Sequence, residues 1–154
     1  KFGATTSIVF DDDNWLPETP YNVIKENLGR GLHTLCLLDI KVAEPSKENL
    51  KKGINKPESA RFMTINQAIN ILKKLGKKEK KKIITENTIA VAVARLGQSN
   101  QIIKSGALKE LEKFNFGKEM HSLIICGKLH EIEKEMLKIL GVDIEPETES
   151  PPKP

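Results

Sequence analysis

The sequence predicts an α/β domain built on a mixed β-sheet with helices packed against it. Three observations carry the prediction. Short apolar runs of strand length alternate with stretches whose apolar residues recur every three or four positions, the order that builds α/β folds. One run, TIAVAVARLG, is apolar on both faces, as a central strand covered on two sides must be. A length of 154 residues suits one domain, which at that size buries roughly 68–70% of its unfolded surface.

The elements follow in order. Ser7 to Phe10, within the opening KFGATTSIVF, reads as a buried strand, and a start with no methionine leads us to expect a segment upstream. Asp11-Asp12-Asp13-Asn14 is a turn-forming cluster. Thr19 then offers a helix cap and Pro20 the first helical position. Tyr21, Ile24 and Leu28 recur at helical spacing, and Gly29 or Gly31 ends the helix. A second strand lies in GLHTLCLLDI, whose centre from Thr34 to Leu38 is uncharged. The polar stretch from Lys41 to Ser59, with prolines at 45 and 57, predicts a long surface loop.

RFMTINQA supplies a brief extended piece at Arg61 to Met63 and a capping box, Thr64 with Gln67. Ile65, Ala68, Ile69, Leu72 and Leu75 form one face of the next helix, which Gly76 closes. In TIAVAVARLG, Ile89, Val91 and Val93 alternate with Ala90, Ala92 and Ala94, so the alanine face admits a close helix. Ser105 is expected to cap a helix carrying Leu108, Leu111 and Phe114. HSLIICG, His121 to Gly127, is a last strand. Leu129, Ile132, Met136, Ile139 and Leu140 line a final helix before Gly141, and an acidic, proline-rich tail follows.

The formal net charge of +4 suggests an anionic partner until it is divided along the chain. Lys73 to Lys82 holds seven lysines and one glutamate, so the remainder is slightly negative. A nucleic-acid site would join arginine and stacking aromatics to the lysines, and this run has neither. It reads as a solvated helix end and loop. Cys36 and Cys126 sit in apolar strand-like runs and read as buried free thiols of a reducing compartment. No apolar stretch approaches the roughly 18 residues of a membrane span, and no secretory signal or lipidation motif is visible at the start.

Candidate chemistry is sparse. The GRG at Gly29 to Gly31 joins a helix to a strand, whereas a phosphate loop runs from strand to helix. Adjacent aspartates seldom converge on a metal, so the triplet reads as a turn and no metal is expected. His33 and His130 begin elements and suit structural roles. His121 differs: if the last strand runs antiparallel to its neighbours, its start shares a sheet edge with the ends of LLDI and VARLG, the edge at which open α/β sheets bind ligands. Leu38-Asp39-Ile40, Arg95-Leu96-Gly97 and Met120-His121 would converge there as half of a binding cleft suited to a flat heteroaromatic ligand.

KFGATTSIVF, ENLGRGLHTLCLLDIKV, RFMTINQA, ITENTIAVAVARLG and HSLIICGKLHEIEKEML, in that order, resemble the diphthine synthase family, tetrapyrrole-methylase-like methyltransferases of diphthamide biosynthesis. The resemblance runs from Lys1 to about Gly141. It implies the C-terminal domain of such an enzyme over residues 1–142, with a tail at 143–154 and an N-terminal domain absent from the chain. It further implies a mixed sheet of about five strands, S-adenosyl-L-methionine in the cleft between two domains with S-adenosyl-L-homocysteine as product, a homodimer, and a cytoplasmic location.

Leu38, Leu96 and His121 match the family's cofactor-contacting positions, and no catalytic residue is assigned. The family's other cofactor contacts have no counterpart here, so the chain alone is expected to be inactive. The implied substrate is elongation factor 2, methylated on the amine of a modified histidine, a transfer that needs alignment and exclusion of water more than a resident acid or base. The long segment KVAEPSKENLKKG resembles the eukaryotic branch, which implies the methyl ester product of four transfers rather than three. Two further readings stand beside this one: a stand-alone module binding RNA or an acidic partner through Lys73 to Lys82, and a related methylase with a different substrate.

Overall fold

The computed structural model describes residues 1–139. The first unit is β1 (Thr6–Ile8), α1 (Thr19–Gly29) and β2 (Thr34–Leu38). The two strands are parallel, with Thr6 opposite Cys36 and Ile8 opposite Leu38. The aspartate cluster makes a 3-10 turn over Asp12–Asn14. Thr19 is already helical: Glu18 takes the cap position without a side-chain hydrogen bond, and Pro20 fits because early helical amides have no partner to lose.

The polar stretch after β2 is more ordered than its composition predicts. β3 (Ile40–Lys41) pairs antiparallel with β4 (Arg61–Phe62), placing Ile40 opposite Phe62 and Lys41 opposite Arg61. Between them lies the five-residue helix α2 (Lys47–Lys51), whose Ser46 hydroxyl accepts from the Asn49 amide at 3.1 Å. That serine cap is the signal the composition hides.

The capping box of α3 (Ile65–Gly76) is complete. The Thr64 hydroxyl accepts from the Gln67 amide, and the Gln67 side-chain oxygen accepts from the Thr64 amide. Ile65, Ala68, Ile69, Leu72 and Leu75 are all buried, as their spacing predicts. Each large one contributes about 1.5–3 kcal/mol relative to exposure.

β5 (Ile89–Ala94) is followed by a strand that the sequence reading lacks, β6 (Ile102–Ala107), paired antiparallel along its whole length from Ile89 opposite Ala107 to Ala94 opposite Ile102. Ser105 lies within this strand and caps nothing. The short helix α4 (Leu108–Leu111) begins after Ala107, whose amide is bound by the Glu110 carboxylate at 3.0 Å. Serine's capping preference is local, whereas strand formation at Ile102–Ala107 is decided by the partner β5 supplies.

β7 (His121–Ile125) runs antiparallel to both β2 and β5, giving one mixed five-stranded sheet in the order β1-β2-β7-β5-β6. β5 is therefore interior, and β7 occupies the centre. Ala90, Ala92 and Ala94 join the main core with α1, α3 and α4, while Val91 and Val93 form a second cluster with Cys126, Leu129 and Leu137 on the other face. The small residues bring helices close on one side, and the bulky ones fill the other. Leu137 belongs to α5 (Glu131–Ile139). Contrary to the lining predicted for this helix, Ile132, Met136 and Ile139 are exposed. Leu140, Gly141 and the tail at 143–154 lie outside the described residues. No helix among the described residues is long and apolar enough to cross a membrane.

Candidate functional site

Strand direction assembles the candidate site. Because β7 runs against its neighbours, its first residue, His121, lies opposite Ala94 at the end of β5, and Ser122 lies opposite Leu37 near the end of β2. Leu38 closes β2, and Leu96 stands two residues past β5. The parallel strand β1 finishes at the same edge. All three predicted residues are brought to one end of the sheet, in different surroundings. Leu38 is buried in the main core, Leu96 is 70% exposed and His121 is 7% exposed.

The His121 imidazole is fully engaged. Its Nδ1 accepts from the Ile65 amide at 3.2 Å, and its Nε2 donates toward the carbonyls of Gly117 and Lys118 at 3.1 and 2.9 Å. This pattern fixes the neutral tautomer with the proton on Nε2. Phe116 meets the ring edge-on, with centroids 6.1 Å apart. Burial holds the imidazole below its ordinary pKa, the two carbonyls acting against that effect and Arg95 adding to it. His121 is thus a tie between the start of α3 and the 117–120 loop, with no spare nitrogen for proton transfer.

Arg95 enters the sequence reading only as part of the Arg95-Leu96-Gly97 loop, with no role assigned. Its φ of 51° lies in the left-handed region, and its own amide donates to the Met120 carbonyl at 2.8 Å. Its buried guanidinium donates to the carbonyls of Asn100, Phe116 and Lys118. Arg95 and His121 therefore share the Lys118 carbonyl and together shape the loops that present Leu96 and Met120. The positive φ at a non-glycine residue is a tertiary outcome with no local signature.

On the β1–β2 side, the Asp39 carboxylate accepts from the Phe10 amide at 3.1 Å and its backbone amide donates to Ile8. A cleft of about 390 Å³ opens there, lined by Phe10, Asp12, Trp15, Asp39, Lys41 and Lys47. A larger one, about 500 Å³, lies beside the start of β5 at the opposite end of the sheet, away from Leu38, Leu96 and His121.

The remaining candidates are structural. Asp11 pairs with Lys74, and Asp12 pairs with Lys41 and Arg61. Both carboxyls are held below the usual range, Asp11 chiefly by its bond to Lys74 and Asp12 chiefly by its bond to Lys41. Among the described residues no group of three His, Cys, Asp or Glu could hold a metal. Lys73 pairs with Glu112 and Lys78 with Glu18, so acidic neighbours answer part of the lysine run and the binding-module reading gains no support. Gly127 donates its amide to Nδ1 of His33, whose Nε2 lies 3.2 Å from Glu133. Both cysteines are free and buried, with burial pushing each thiol up to about 12.

No family model matches the chain. Individual proteins do. It is 49% identical over 144 residues to the diphthine synthase of Methanocaldococcus jannaschii, covering 94% of this chain and 51% of that protein. It is 42% identical over 147 residues to the human diphthine methyl ester synthase, covering 92% and 52%. Among solved structures, a crystal structure from Entamoeba histolytica provisionally assigned as a diphthine synthase superposes with a TM-score of 0.79 at 33% identity, over 94% of this chain and 52% of that one. A crystal structure of diphthine synthase superposes with a TM-score of 0.70 at 26% identity, over 92% and 46%. The chain spans about half the length of the curated relatives it matches.

Proposed function

The chain belongs to the diphthine synthase family, and we propose that residues 1–142 are the C-terminal domain of an S-adenosyl-L-methionine-dependent methyltransferase that acts on the modified histidine of elongation factor 2. The observation that carries this reading is identity of 49% over 94% of the chain to a protein of that name. The half-length match supports a second domain, outside this chain, as the other wall of the cleft.

The end of the sheet suits one wall of such a cofactor site. Exposed Leu96 and half-exposed Met120 make an apolar shelf beside the tied His121, and Leu38 backs it from the core. That donor set fits a group held by apolar contact and main-chain groups rather than by ion pairs. When bound, S-adenosyl-L-methionine supplies an electrophilic methyl group on a sulfonium. Leu96 and Leu38 exclude water from one side, and His121 and Arg95 hold the shelf's loops in position. Since His121 has no free nitrogen, alignment rather than acid–base chemistry is this chain's contribution.

The finer parts of the reading have separate supports. The likeness of KVAEPSKENLKKG to the eukaryotic branch is the support for the methyl ester product, and relatives of both names match the chain, the diphthine synthase at 49% identity and the methyl ester synthase at 42%. The exposed row Ile132, Met136 and Ile139 on α5 is the surface we assign to a homodimer. A translation factor as substrate and two free buried thiols favour the cytoplasm.

The test uses the complete protein, the methyl donor and elongation factor 2 carrying the aminocarboxypropyl-histidine intermediate. Methyl groups on the modified residue are counted by mass spectrometry. Four added methyls are expected, and three would revise the product. None, beside an active control enzyme, would overturn the substrate assignment.

A further inference from the structure

The stretch 112–120, between α4 and β7, carries Met120 and leads into His121, yet it forms neither helix nor strand. Carbonyls along it that a ladder would have received are bound by side chains instead. The Arg95 guanidinium donates to Phe116 and Lys118, and the Arg95 amide to Met120. The His121 ring donates toward Gly117 and Lys118. The carbonyls of Glu112 and Phe114, at the start of the stretch, both accept from Nδ2 of Asn66, at 2.6 and 2.9 Å.

Asn66 is the second residue of α3, and the helix has no need of it there. Thr64 and Gln67 already complete the capping box, and asparagine is a poorer helix former than alanine or leucine. What its carboxamide offers is two donors on one nitrogen, so a single side chain bridges carbonyls two residues apart. The residue before it does the complementary work, since the Ile65 amide donates to Nδ1 of His121. Consecutive residues in the first turn of α3 therefore hold both ends of one segment. Between those ends Phe116 is buried, edge-on to the His121 ring.

We propose that Asn66 is a positioning residue of the cofactor site, acting through the 112–118 segment to set where His121 and Met120 stand. The inference rests on the function proposed above and adds to that site a residue on a separate element. With Asn66 in place the segment has a fixed start and a fixed end, and the turn that presents the Gly117 and Lys118 carbonyls to the imidazole is held between them. Without it, the carbonyls of Glu112 and Phe114 turn to water, the start of the segment shifts, and the acceptors of the His121 ring shift with it. The ring then loses the geometry that keeps its proton on Nε2, and Met120 loses its register with Leu96.

The test compares Asn66→Ala and Asn66→Asp with Gln67→Ala in the complete protein. Gln67→Ala breaks the capping box and so weakens the same helix start, but it leaves the ties to Glu112 and Phe114 intact. The first readout is the imidazole of His121, followed by nitrogen NMR. In Asn66→Ala its nitrogen shifts should move toward a mixture of tautomers and its titration toward the ordinary value, while Gln67→Ala keeps the wild-type pattern. Asn66→Asp, which sets acceptors where two donors are needed, should exceed the alanine change at pH 8. The second readout is the S-adenosylhomocysteine Kd, expected to rise about fivefold in Asn66→Ala and to stay unchanged in Gln67→Ala. An unaltered His121 in Asn66→Ala, or the same changes in Gln67→Ala, would overturn the proposal. A wild-type protein that binds no S-adenosylhomocysteine would count against the function it rests on, while the His121 readout would still decide what Asn66 does.

Discussion

Nδ1 of His121 accepts the amide proton of Ile65 at 3.2 Å, which joins the first residue of the central strand to the first residue of α3. That bond exists only while the imidazole is neutral.

The folded pKa of His121 is lowered from its ordinary 6.5, chiefly by burial. An unfolded chain therefore binds the proton first as pH falls, and its contribution to stability is complete above about 6.5 and lost as pH drops through the lower, folded value. Thermal melts from pH 8 to 5 should show falling Tm through this window. His121→Asn should melt lower than the wild type at pH 8 and show a flatter pH profile. A wild-type slope retained in the variant would assign the effect to other groups.

Arg95→Met should be the most costly change at this edge. It strips donors from the carbonyls of Asn100, Phe116 and Lys118, and bonds from a charged donor contribute about 1.5–3 kcal/mol each. A loss of about 3 kcal/mol or more by urea unfolding is expected, and one below about 1 kcal/mol would show that the loops hold without it.

Calorimetry of this chain alone with S-adenosylhomocysteine should show no tight binding, because the proposed site takes only one wall from Leu38, Leu96 and His121. In the complete enzyme, Leu96→Asp should weaken that ligand tenfold or more, about 1.4 kcal/mol, with little change in Tm, since Leu96 is 70% exposed. Tight binding by the chain alone would contradict the two-wall site.

The Ser105 hydroxyl is buried without a hydrogen-bond partner among the described residues. Ser105→Ala should therefore stabilise the protein by about 1 kcal/mol, seen as a Tm rise of about 2–4 °C. A fall in Tm would mean that the hydroxyl is satisfied in solution.

If the exposed row on α5 is the homodimer surface proposed above, Ile132→Glu with Ile139→Glu should leave the fold intact and abolish self-association in sedimentation or size-exclusion measurements of the complete protein. Both side chains are exposed on α5, so a folded monomer is the expected product. Persistence of the dimer would move its interface elsewhere.

Legibility in the sequence followed the range of the forces involved. Thr64 with Gln67, and the buried row from Ile65 to Leu75, are local patterns, and both were readable. The two-faced strand from Ile89 to Ala94 was readable because alternation alone requires cover on both sides. Ile102–Ala107 was not, since its strand character comes from pairing with β5 while Lys104 and Ser105 argue locally for something else. On α5 the apolar row was visible but not its exposure, which depends on what packs against it. The site shows the same division. Convergence of the loops that carry Leu38, Leu96 and His121 was readable on the condition that the last strand runs antiparallel, as it does. The ties that occupy the His121 ring, and the Arg95 knot beside it, join residues far apart in sequence and leave no local trace.

The strand order has a consequence for the nascent chain. β2 and β5 leave the ribosome before the strand that joins them, β7, which is made at residues 121–125. Until it emerges, each carries an open edge able to pair with a neighbouring polypeptide. The topology is rich in such long-range pairings, which slow folding and prolong exposure to misassembly. Translation that stalls before His121 leaves two ribbons with nothing between them, so release of the last strand is the event on which correct assembly of the sheet turns.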